Sequence, residues 1–103
     1  MYEEYQIEIP PSFMALFTDP GRQKPNASRD VVAGRYELCE DMATMLMETA
    51  KDKLLRWGIA EEDVLAQFLA GLTGVGAVVT EPEAGWVVRR LAELLEWPPL
   101  RMA

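Results

Sequence analysis

Three carboxylates, Glu37, Glu40 and Asp41, stand at i, i+3 and i+4, a spacing that gathers them on about one turn of a helix. Carboxylates grouped in this way hold divalent metals or exchange protons, and helix-borne di-metal centres complete the set with Glu-x-x-His pairs. The chain contains no histidine. The usual imidazole ligand, general base and pH switch are therefore missing, and the three acids read as a solvated face with no metal and no catalytic role. Cys39 is the single cysteine and falls among these acids, negative surroundings that disfavour a thiolate. A place in the core suits it better than nucleophilic work.

The stretch GLTGVGAVVTEPEAGWVVRR, residues 71–90, puts glycines ahead of a helix start, which raises the question of a phosphate cradle. Gly71, Gly74 and Gly76 match neither the P-loop spacing nor the dinucleotide pattern, and no lysine or serine follows to complete the charge. A helix stop and a flexible link are expected here, with no cofactor. Trp86 lies one helical turn before Arg89 and Arg90, a spacing suited to a cation–π contact or a small positive recognition spot. A helix-turn-helix reader needs a shorter turn than the link before Thr80.

The elements that must carry these residues are helical. RDVVAGRYELCEDMATMLMETAKDKLLRW follows Ser28, an N-cap residue, and is closed by Gly58. Val32, Tyr36, Cys39, Ala43, Leu46, Ala50, Leu54 and Trp57 recur in steps of three and four, which predicts one long helix over about 28–57. Leu38, Met42 and Met45 widen the stripe. Such a helix is about 44 Å long, more than a small chain readily covers alone. IAEEDVLAQFLAGL predicts a second helix over about 60–71, with acids at its positive end and Val64, Leu65, Phe68 and Leu69 as its contacts. Thr80 and Glu83 form a capping box that opens a third over about 81–96, ahead of Pro98 and Pro99.

SFMALF, residues 12–17, predicts a short helical turn with Ser12 as cap, and DPGRQKPN, residues 19–26, an exposed loop. Tyr5, Ile7 and Ile9 alternate with polar residues in the manner of a strand, but no second strand is evident to pair with them. Residues 1–11 are therefore an extended arm or a flexible tail. The expected fold is an all-α bundle forming a single helical domain over residues 1–103.

Composition narrows the function further. Seventeen acidic and ten basic side chains give the 103-residue chain a net charge of −7, which repels phosphate backbones and anionic lipid. Nucleic acid and membrane are thus not expected as partners. The opening acids Glu3, Glu4 and Glu8 are unlike a secretory leader, and a cytoplasmic setting is expected. Half the residues are apolar, and six are methionines, with Met42, Met45 and Met47 crowding one part of the long helix. Flexible thioethers adapt to partner surfaces.

IEIPPSFMALF, ASRDVVAGRYELCEDMATML, GIAEEDVL and VVTEPEAGWVVRRLAELLEW together resemble a group of small, uncharacterised bacterial helical proteins of about the same length. Some of these are labelled "ATPase with chaperone activity". The resemblance implies nucleotide hydrolysis or an accessory role beside a larger machine; the missing Walker A lysine points to the second.

The sequence thus predicts a non-catalytic, protein-binding adaptor or regulatory accessory protein, first of all a homodimer built by antiparallel packing of the long helix. Its partner-binding residues are Phe13, Met14, Phe17, Met42, Met45, Met47 and Trp86. The alternative is an acidic mimic of nucleic acid that occupies a nucleic-acid-binding protein through Glu37, Glu40, Asp41 and Glu48.

Overall fold

The computed structural model describes residues 8–101, and within them the chain is all-α. Helix α1 (Pro11–Met14) runs into a 3-10 turn (Ala15–Phe17), and α2 (Arg29–Leu55), α3 (Glu61–Leu72) and α4 (Glu81–Leu95) follow. No strand occurs among the described residues. Tyr5 and Ile7, the basis of the expected alternation, lie outside them. The chain divides into two compact units between Leu38 and Cys39, inside α2.

In the first unit α1 starts at Pro11, one residue before the expected Ser12 cap. Proline lacks an N–H and has a helical φ already set, so it fits the first helical position. The carbonyl of Pro10 then accepts from the backbone N–H groups of Phe13 and Met14, both at 3.0 Å. This turn aims Phe13 inward, where it is fully buried. The Phe17 and Tyr36 rings each stand 5.6 Å from it, centre to centre. Exposed residues 19–26 loop out and return: the Asn26 N–H donates to the Phe17 carbonyl at 2.6 Å, and Thr18 and Pro25 form an isolated bridge. At the start of α2 the Ser28 hydroxyl accepts from the Val31 N–H at 3.3 Å, the cap its residue type predicts.

The second unit holds most of the buried apolar side chains. Cys39, Ala43 and Ala50 are fully buried on α2, Val64 and Leu65 on α3, and Ala84, Val87, Val88 and Leu91 on α4. Burying each of the valines and leucines contributes about 1.5–3 kcal/mol by removing it from water.

Each helix end has a local cause. Gly58 closes α2 with φ 68°, a left-handed value that costs glycine little, and the Ile59 N–H reaches back to the Lys53 carbonyl at 3.0 Å. The capping box of α4 is complete, with Glu83 N–H donating to the Thr80 hydroxyl at 3.2 Å and Thr80 N–H to the Glu83 carboxylate at 2.9 Å. That pairing explains why Glu83 is buried at all. At the far end of α4, Glu96 takes a left-handed φ of 61° while the Trp97 N–H donates to the Ala92 carbonyl at 2.9 Å. This is a Schellman stop built without glycine, and Pro98 follows it.

Candidate protein-binding surface

The inward line of α2 fixes its outward one. With Cys39, Ala43 and Ala50 buried, the residues about half a turn away are Asp41, Met45, Glu48, Asp52 and Leu55, and all five are exposed. They follow one another at steps of four, three, four and three, so they lie within about 40° of a single line some 21 Å long. Met45 is 75% exposed and Leu55 81%. Trp57, the last residue of the expected apolar stripe, is 69% exposed, because the helix ends at Leu55 and the Gly58 turn carries the indole off the inward face.

Glu40, one residue from this line, has a different fate from its neighbours. Its carboxylate accepts from Arg90 Nε at 2.9 Å and from Arg90 Nη2 at 3.0 Å, a two-pronged ion pair that ties α2 to α4. Arg90 Nη1 also donates to Glu93 at 3.1 Å. The hydrogen bonds to Glu40, foremost, and to Glu93 hold the Arg90 guanidinium above its ordinary value, against the opposing effect of burial. The expected acidic face of Glu37, Glu40 and Asp41 is therefore split: Glu40 clamps a helix pair, while Glu37 and Asp41 face solvent. Arg90, expected beside Trp86, is committed to these carboxylates.

The seven residues expected to bind a partner differ in exposure. Phe13 is in the aromatic cluster of the first unit and Trp86 is 6% exposed in α4, so neither offers a surface; both are core residues. Met14, Phe17, Met42 and Met47 are half-buried, and Met45 alone of the seven is exposed. The methionines divide in this way because Met42 and Met47 flank the outward line on either side by about 60–160° from Met45. Leu55 was legible only as part of the outward line, a pattern of mixed acids and apolar residues that a search for apolar periodicity passes over.

The glycine-rich link forms a tight turn. The Ala77 N–H donates to the Gly74 carbonyl at 3.2 Å, and Gly76 has φ 79°, the conformation a type II turn demands at its third residue. A separate open depression of about 550 Å³ is lined by Glu61, Glu62, Pro98, Pro99 and Arg101 among others, groups that include neither a thiol nor an imidazole. Among the described residues no helix is long and apolar enough to cross a membrane. No family model matches the chain, nor does any curated protein or solved structure.

Proposed function

We propose that this chain is a non-catalytic protein-binding adaptor or accessory protein that docks through the outward line of α2. The observation that carries the reading is the exposure of Met45 and Leu55 on a continuous, well-capped helix. Exposed apolar side chains on one side of a helix are contacts that a second helix can cover. Its rigidity keeps the ordering cost of binding low.

Packing of two copies through α2 is one form of this docking, and capture of a different protein is the other. An affinity capture from native cytosol at low and high salt, with the eluate sized by light scattering, separates them. A retained partner in stoichiometric amount supports the reading. Recovery of the chain alone under both conditions, or ATP turnover that stays with it through repurification, contradicts it.

A further inference from the structure

The outward line of α2 has a chemistry of its own beyond its apolar content. Three of its five residues, Asp41, Glu48 and Asp52, are exposed carboxylates; Asp41 precedes the exposed Met45, and Glu48 and Asp52 fill the interval between Met45 and the exposed Leu55. Lys51, at the edge of the line and about half exposed, approaches the almost wholly exposed Glu48 at 3.8 Å, a long surface pair that screening by water weakens. Arg56 lies just past the end of the helix and is exposed too. The net charge of −7 adds a long-range field of the same sign as the carboxylates.

From this charge pattern we infer that the occupant of the line is a basic amphipathic helix of another protein, its apolar residues set against Met45 and Leu55 and its Lys or Arg residues against Asp41, Glu48 and Asp52. The inference rests on the adaptor reading above and narrows it to one partner chemistry. A second copy fits poorly. An antiparallel copy that sets Met45 against Leu55 would bring Glu48 opposite Asp52 of the other helix, twice by symmetry, and a parallel copy would set each acid against itself. Like charges so placed oppose association. A basic helix converts the same carboxylates into attraction while the two apolar side chains supply the buried contact.

The test uses the full chain and a fluorescent synthetic helix of about 20 residues, with leucines at alternating steps of three and four and lysines flanking them. Two control peptides carry glutamate in place of lysine, or the same composition scrambled to destroy the apolar face. Fluorescence anisotropy should show the basic amphipathic peptide binding at least about tenfold tighter than either control. The double variant Met45→Ala, Leu55→Ala should weaken it about tenfold. The triple variant Asp41→Asn, Glu48→Gln, Asp52→Asn should weaken it similarly and flatten its salt dependence. All five positions are exposed, and circular dichroism should confirm that both variants keep their helix content.

Equal binding of the acidic peptide, or wild-type binding by either variant, overturns the inference. Loss in the triple variant with none in the double one also overturns it, and assigns the line to a flat basic surface such as a nucleic-acid-binding protein presents. A cytosolic partner retained equally by wild type and triple variant refutes the charge pattern yet leaves the adaptor reading standing. No captured partner and no peptide binding removes that reading itself.

Discussion

Arg90 and Glu40 meet in the geometry that suits a guanidinium best, two parallel N–H···O bonds to one carboxylate. The side chains are 33% and 25% exposed, so water screens the pair in part. Glu40→Ala should cost about 1 kcal/mol, measured by urea unfolding. The guanidinium's pKa is raised on folding, so its contribution is complete below the ordinary arginine value and is lost only as pH climbs through the still higher folded one. The gap between wild type and Glu40→Ala should therefore be flat from neutrality to about pH 10. Phe13 supports a second prediction of larger size. With Phe17 and Tyr36 against its ring and no exposure, Phe13→Ala should lower stability by about 3–5 kcal/mol. An anchor reserved for a partner would leave the unfolding midpoint unmoved.

The boundaries of the helices were legible in the sequence wherever a single residue type decides them. Ser28, Gly58 and the Thr80–Glu83 pair act through hydrogen bonds or dihedrals within a few residues, and each stands where its chemistry places it. The inward line of α2 was legible for a similar reason, since its period is that of the helix. Pairings across the chain were not. Glu40 and Arg90 are 50 residues apart, and only the packing of α4 on α2 tells that carboxylate from Glu37 and Asp41. Phe13 and Trp86 are large and aromatic, a description that serves a core and an interface equally, and burial alone separates the two. The stop of α4 is a local feature that residue type hides. Glu96 occupies a left-handed position that asparagine or glycine would favour, so Glu96→Gly should raise stability by about 0.5–1 kcal/mol, read as a higher thermal midpoint. An unchanged or lower midpoint would mean that the glutamate side chain offsets its own backbone strain.

For the whole molecule, charge and exposed apolar surface pull in opposite directions. Seven net negative charges hold copies of the chain apart, while Met45, Leu55, Val75 and Val78 are all more than half exposed and favour contact. Salt acts on the first and spares the second: the screening length shrinks from about 30 Å at 0.01 M to about 3 Å at 1 M, whereas apolar burial persists. Self-association and capture of a basic helix should therefore respond to ionic strength with opposite signs. Light scattering at low salt should give the 11.6 kDa of one chain, with heavier species emerging only as salt rises. Binding of the lysine-flanked helix should be tightest at low salt and fall steadily over the same range. A dimer that is strongest at low salt would show that its interface avoids Asp41, Glu48 and Asp52, and would move the contact between copies to another face of the chain.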